Sequence, residues 1–289
     1  MGEPPVLFRF CQIEVPWALG PPDGRYLLRR PGTGAESTPG HVLVFATLGA
    51  PERRRLAHHH RRRRAEPEPE PNPVATGRAT IIDVGSPLAG LEAAAGWLAA
   101  AGEDELSAGL EVLNRALHAF RLVTADPHLN PIGRQQTLVA RIGFGVGQQV
   151  ADGLWTDARE LLDRAPFQRR VRVLQPQARL ASVLGGREPS LACEELTLRA
   201  RLDIDHGRER EAALQLLVAL DAALAELARD RAAPELQERL RELRALRDAV
   251  ALAGQTALGG PLSSSERETV SFTLSRIEAA LRARAVANA

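Results

Sequence analysis

The spacing of apolar residues changes near residue 87, and this change limits the possible folds more than any other feature of the sequence. Before it, short runs rich in β-branched and aromatic residues alternate with turn sequences, which is typical of β-strands. After it, apolar residues recur every three or four positions, which is typical of amphipathic helices. The predicted strands are Val6–Val15, a segment around residues 25–29, Gly40–Leu48 and Ala79–Val84. The clearest helical stripe consists of Leu106, Leu110, Leu113, Leu117 and Phe120.

These patterns predict an α+β chain with two regions. Residues 1–86 are expected to form a small N-terminal antiparallel β-region, and residues 87–289 a mostly α-helical bulk of stacked helical hairpins. Two helix starts support the second expectation. Pro234 suits the first turn of a helix, and Ser265 with Glu268 has the spacing of a capping box ahead of the final helix.

A charged, proline-rich segment interrupts the β-region. Pro51–Pro73 begins with a block of Arg and His and passes abruptly into a Glu-Pro alternation. Proline at every second position excludes a helix and favours an extended conformation, so we predict a disordered loop over residues 51–74. The loop contains consecutive arginines that are candidates for contact with nucleic-acid phosphates: Arg61, Arg62, Arg63 and Arg64. A solvated loop without a dedicated ligand is the favoured interpretation, because no aromatic residues are interleaved for base stacking.

The composition narrows the possible functions only slightly. All 37 basic residues are Arg and none is Lys, which indicates a GC-rich bacterial source and weakens arguments from Arg abundance. A net charge of +1 provides no general attraction to nucleic acids or anionic membranes. Cys11 and Cys193 are too isolated for a disulfide framework or a metal motif. Because no signal-peptide pattern and no membrane-length apolar run occur, we expect a cytoplasmic protein that does not enter a membrane. We also expect no cofactor or metal.

The stretch Arg141–Gly153, with sequence RIGFGVGQQVADG, is the strongest candidate for a ligand-binding loop. Its glycines at positions 143, 145 and 147 follow an apolar run, as they would in a phosphate-binding loop. However, the spacing is G-x-G-x-G rather than G-x-G-x-x-G, and no Lys follows. Apolar residues at four-residue intervals instead favour a helix, in which Gly143 and Gly147 would form a thin face for close helix packing. We therefore predict helix packing rather than a phosphate site.

Two segments have a common turn pattern. GLWTDARELL begins at Gly153 and GREREAALQLL at Gly207, and each has an acidic residue and then Ala at the fourth and fifth positions after the glycine. Around Gln136–Ala165 and Glu194–Leu224, the chain therefore resembles tetratricopeptide-type helical-hairpin repeats, although the regular period and most aromatic signature positions are missing. This resemblance implies stacked helical hairpins that present a groove to a peptide or protein partner. An ordinary helical bundle remains the alternative.

Two polar clusters are candidates for a catalytic or a metal site. Asp126, His128 and Asn130 could support proton transfer, but Asp-Pro and Asn-Pro are also common between helices. Asp203, Asp205 and His206 could ligate a metal, but a helix C-terminus capped by Gly207 is the simpler interpretation of this segment. We therefore assign no catalytic, cofactor-binding or metal-binding residue.

The sequence therefore favours a non-enzymatic interaction or scaffold protein that binds an unidentified protein or peptide through a helical-repeat-like surface. One alternative is a nucleic-acid-associated protein that uses Arg61–Arg64 as an electrostatic arm. A second alternative is a small-molecule enzyme or binder with its site near Asp126–Asn130 or Gly143–Gly147.

Overall fold

The computed structural model describes residues 6–29, 38–49, 75–161, 176–229 and 234–287. It divides the chain into two compact units, residues 1–164 and residues 165–289. The predicted disordered loop at 51–74, with Arg61–Arg64, lies outside the described residues.

The first unit contains an antiparallel sheet in which the described strands have the order β2-β3-β4-β1-β5-β6. The strands are β1 Leu7–Val15, β2 Gly24–Arg29, β3 Pro39–Leu48, β4 Thr76–Leu88, β5 Val139–Val146 and β6 Asp157–Glu160. The helices of this unit are α1 Leu91–Ala100, α2 Glu103–Thr124 and the short α3 Gly147–Ala151. The N-terminal sheet followed by a helical bulk confirms the predicted α+β class.

The two faces of the sheet are covered differently. The helix face packs against α1 and α2, and the predicted leucine stripe of α2, from Leu106 to Leu117, is buried there. The opposite face, which we call the α3 face, has a smaller apolar cluster formed by Phe10, Ile82 and Val150. Since α3 has five residues, it covers only part of this face.

The second unit is a helical bundle. Its helices are α4 Pro176–Leu184, α5 Ala192–Asp205, α6 Glu209–Glu226, α7 Pro234–Gly259 and α8 Ser264–Ala287. Successive helices from α5 to α8 pack against each other, and α8 also contacts α5 and α6, so these four helices enclose one core. That core combines leucines with many alanines, which allow the helices to lie close together.

The start of α8 differs in detail from the prediction. The capping box uses Ser263 and Glu266: the Glu266 carboxylate accepts hydrogen bonds from the backbone N–H and the hydroxyl of Ser263, at 2.8 and 2.7 Å. Ser265 and Glu268 have the same spacing but lie inside the helix. Pro234 begins α7, as predicted.

The unit boundary also differs from the predicted boundary at residues 86 and 87. The helices α1 and α2 and the strands β5 and β6 lie in the first unit, because they form or cover the sheet. The described residues between Val139 and Glu160 form β5, α3 and β6 rather than a helical hairpin, so the helical interpretation of this part of the chain was wrong. Glu194–Leu224 does lie on a helical hairpin, formed by α5 and α6.

Candidate functional site

The glycine-rich stretch belongs to a strand, which corrects the prediction of a helix. Gly143 and Gly145 lie within β5, which pairs with β1 in continuous antiparallel register, and Gly147 is the first residue of α3. A Cβ at Gly143 would lie 2.5 Å from the carbonyl oxygen of Asp157, and one at Gly147 would lie 3.0 Å from Cδ2 of Phe8. Close packing therefore occurs at both glycines, but against β6 and an aromatic ring rather than against another helix.

The physical reason for this error is that the segment satisfies two periodicities at once. Ala140, Ile142 and Phe144 alternate on the buried helix face of the sheet, with a period of two. Ile142 and Val146 are also four residues apart, as on one face of a helix. The low helix propensity of the intervening glycines was the local signal that favoured the strand.

A groove lies on the α3 face between the edge strand β2 and α3. It encloses a volume of about 340 Å³. Its apolar lining comes from three neighbouring strands and from α3: Leu27, Val42, Ile82, Val84 and Ala151. The short helix α3 contacts β1, β4 and β5. Side chains of β2 and β3, together with Ile82 and Val84 of β4, form the floor of the groove beside this helix. The groove therefore exists because α3 is short.

The rim of this groove is polar. The Arg25 guanidinium donates through Nη1 to Oε1 of Gln148 at 3.1 Å, and its Nη2 lies 2.5 Å from Oδ1 of Asp152. Both charged side chains are about half exposed, at 43% and 52% of their side-chain area. An ion pair this exposed contributes little net stability. Arg25 can therefore exchange Asp152 for another carboxylate at a small cost in free energy.

Within the described part of the chain, β2 is an edge of the sheet, and it is exposed. Leu27 exposes 54% of its surface, and Tyr26 exposes 39%. The β2 register places Arg25 opposite Val44 and Leu27 opposite Val42, whose side chains belong to the apolar cluster of the α3 face. Arg25, Leu27 and Arg29 therefore alternate on this face of the edge strand.

A row of hydrogen-bonded side chains crosses the same face next to the groove. Gln12 donates to Oγ1 of Thr80 at 3.1 Å and accepts from Nη1 of Arg141 at 2.6 Å. Arg141 also pairs with Glu160 on β6 and lies over the Trp155 ring, 4.9 Å from its centroid. Gln12 and Thr80 are almost fully buried. This row therefore links β4, which carries part of the groove floor, to β1, β5 and β6.

The two polar clusters that were candidates from the sequence make local hydrogen bonds that stabilise a loop and a helix end. Asp126 Oδ1 accepts a hydrogen bond from the backbone N–H of His128 at 2.9 Å, and Asn130 donates to the His128 carbonyl, which forms a local loop. At the end of α5, His206 Nδ1 lies 2.7 Å from the Leu202 carbonyl oxygen. Gly207 follows with φ +67°, a conformation that favours glycine.

The two cysteines are free and buried. Burial raises the pKa of the Cys11 and Cys193 thiols to about 12, so both are neutral and poorly nucleophilic near neutral pH. Among the residues that the structure describes, no group of three or more His, Cys, Asp or Glu side chains is suited to hold a metal ion. No helix in this part of the chain is both long and apolar enough to cross a membrane.

The groove was not identified from the sequence because its lining residues are scattered from position 25 to position 151. The available signal was the Arg-x-Leu-x-Arg alternation in the second predicted strand, which indicates an exposed strand with one apolar position between two cations.

Comparisons with known proteins found no match: no family model fits the sequence, and no curated protein or solved structure is significantly similar to it.

Proposed function

We propose that this chain is a non-enzymatic interaction or scaffold protein that binds a protein or peptide partner. The observation that carries the proposal is the apolar groove beside the exposed edge strand β2. Peptide-recognition sites commonly combine an open strand edge with pockets for alternate side chains. The resemblance of Glu194–Leu224 to tetratricopeptide-type repeats favours the same class of function, through a surface of the helical bundle.

The proposal can be tested by site-specific photo-crosslinking in lysate of a GC-rich bacterium. The crosslinker p-benzoylphenylalanine would replace Leu27 at the groove, Leu122 on α2 or Leu198 on α5, three leucines with exposed side chains. We expect nuclease-resistant crosslinks to a discrete protein from position 27, and none from position 122. Filling the groove with Ala151→Phe should abolish them. Crosslinks from position 198 alone would place the binding surface on the bundle, and none at any position would contradict the proposal.

The same groove favours one alternative, a small-molecule binder. Its volume of about 340 Å³ lies within the range of ligand pockets, and an apolar floor with a guanidinium and an amide at the rim suits an amphiphilic carboxylate. A thermal-shift screen that follows tryptophan emission would test this alternative. A stabilising compound should lose its effect in Ala151→Phe.

A further inference from the structure

We infer that α3 is a lid on the groove and that a latch formed by Arg25, Gln148 and Asp152 holds it closed. This inference rests on the proposed function, because it describes how access to that same groove is regulated. Release of the latch lets α3 move away from the sheet and uncovers the part of the groove floor that lies beneath it.

The first argument is the place of α3 beside the groove. Gly147, Gln148 and Ala151 of α3 line one side of the groove, and Ile82 lies on its floor. Ile82 is almost fully buried and forms a small apolar cluster with Val150 of α3. The same helix therefore borders the groove and covers part of its floor, so that a movement of α3 away from the sheet enlarges the groove.

The second argument is how little of α3 is buried. Of its five residues, only Val150 is fully buried, and five residues are too few for a helix that is stable without tertiary contacts. The backbone hydrogen bonds at its end are local: the N–H of Gly153 donates to the Val150 carbonyl at 3.0 Å, and that of Leu154 to the Gln149 carbonyl at 2.8 Å. A segment with so few buried contacts opens locally at a lower cost in free energy than the sheet beneath it.

The third argument is the backbone that follows α3. Gly153 has φ +85°, a conformation that residues with a side chain rarely adopt. An added Cβ at this position would have no neighbouring atom within 4 Å, so the space around it is open. A permissive residue in open surroundings at the end of a short element is suited to act as a hinge.

The fourth argument is the latch. Arg25 on β2 donates to Oε1 of Gln148 at 3.1 Å and lies 2.5 Å from Oδ1 of Asp152, so its guanidinium joins the two sides of the groove. Gln148 also donates to Oδ2 of Asp152 at 3.4 Å. Because the charged groups are about half exposed, salt screens their attraction, and the latch can open without unfolding the sheet.

The experiment measures opening of the lid in the full chain in two ways. Protection factors from hydrogen exchange of the Gly153 and Leu154 amides, which we call the lid amides, would report the opening itself. For access to the floor, Ile82→Cys would place a thiol beneath α3, and its rate of alkylation by iodoacetamide would be followed by mass spectrometry. Cys11, which is buried on the helix face of the same sheet, would report unfolding of the whole unit in the same samples.

Two variants, the lid variants, weaken the closed state by different mechanisms. Asp152→Asn removes the negative charge of the latch, and Gly153→Ala makes the conformation of the closed hinge unfavourable. The matched controls lie in the second unit. Asp221→Asn breaks a similarly exposed ion pair with Arg247, and Gly207→Ala replaces a glycine with φ +67° and no atom within 4 Å of an added Cβ.

We expect each lid variant to speed exchange of the lid amides and alkylation of Ile82→Cys by a common factor, about two- to fivefold for Asp152→Asn. Higher salt should accelerate both processes in the wild-type latch but have little effect in Asp152→Asn, because the screened ion pair is already absent. Alkylation of Cys11 should remain slow throughout. Alkylation of Val42→Cys, on the groove floor outside α3, should not depend on the latch, and the matched controls should change neither rate.

Three results would overturn the inference: lid amides as strongly protected as those of β5, unchanged protection in both lid variants, or alkylation of Ile82→Cys in Asp152→Asn that is no faster than that of Cys11. Because this experiment needs no partner, its outcome is separate from that of the crosslinking experiment. Crosslinks from position 27 together with unchanged lid variants would preserve the proposed function and reject the lid. A lid that opens as expected, without crosslinks at any position, would support the lid and contradict the proposed function.

Discussion

The replacement of Gly143 by Ala tests the strand assignment most directly. The added Cβ would lie 2.5 Å from the Asp157 carbonyl oxygen, 2.6 Å from the Ala158 Cβ and 2.8 Å from Cε1 of Phe10. The two closest of these atoms belong to β6, and neither is the far end of a flexible side chain. The β6 strand must therefore move away from β5 to accommodate a single methyl group.

The expected cost follows from two opposing terms. Overpacking of a well-packed site costs about 1–3 kcal/mol, and the loss of glycine freedom in the unfolded chain offsets about 0.4–1 kcal/mol of this. We therefore expect Gly143→Ala to lower the free energy of unfolding by about 1–2 kcal/mol. With a urea m-value of about 2 kcal/mol/M, the unfolding midpoint should fall by about 0.5–1 M.

Tryptophan emission is a suitable assay because it reports on the first unit alone. The protein has three tryptophans, Trp17, Trp97 and Trp155, and all of them lie within residues 1–164. The matched control is Gly96→Ala on α1, where an added Cβ would have no neighbouring atom within 4 Å. In an exposed helix interior, this change should stabilise the unit by up to about 1 kcal/mol.

The two glycine substitutions should therefore have opposite signs. If Gly143→Ala were as stabilising as Gly96→Ala, as expected for a glycine in an open helix, the assignment of β5 and β6 would be refuted. A red shift of the native emission in Gly143→Ala would show in addition that β6 has moved, because the Trp155 ring packs 5.8 Å from that of Phe10.

The remaining predictions concern buried polar groups, a capping carboxylate and the thiols. Asn114→Ala should destabilise the first unit by about 2–4 kcal/mol in the same urea assay, because its buried amide satisfies the N–H and C=O of one loop residue at 2.7 and 2.9 Å; an unchanged midpoint would argue against this contact. Hydrogen bonds from Thr256 and Ser263 hold the pKa of Glu266 below its ordinary value of 4.5. A carboxylate whose pKa is lowered by folding stabilises the protein above its unfolded pKa and loses this contribution as the pH falls through the folded pKa. The stability advantage of wild type over Glu266→Gln, followed by helical circular dichroism, should therefore shrink below about pH 4.5, and a constant difference would contradict the assignment. The two cysteines, one in each unit, should resist thiol reagents at about pH 8 in the native protein and react rapidly in urea, because burial raises both thiol pKa values to about 12.

Patterns that depend on short stretches of chain were predictable. The leucine stripe of α2, the start of α7 at Pro234 and the end of α5 at Gly207 were all recognisable from nearby residues. Each depends on interactions within one or two helical turns, such as burial of one helix face, a fixed proline φ or a left-handed cap. The same reasoning placed the early strands in an antiparallel sheet.

The segments that were mispredicted depend on partners far away in sequence. The residues Asp157–Glu160 have no apolar alternation and were expected to begin a helix, yet they form β6 because β5 offers them an open edge. Similarly, β5 satisfies both a helical and a strand period, and pairing with β1, more than a hundred residues earlier, selects the strand. A sheet is stabilised between segments, so no single segment contains the full information.

The sequence by itself determined the α+β class, the amphipathic helices and the local signals that begin and end them, because these follow from periodicity and backbone preference. Only the tertiary structure decided that β5 and β6 complete the sheet and that the unit boundary lies near residue 164 rather than residue 86. Only it brought Arg25 and Leu27 next to Gln148 and Ala151 to form the groove. The physical reason is that helices are stabilised largely by neighbours in sequence, whereas sheets and grooves are formed by contacts between distant segments.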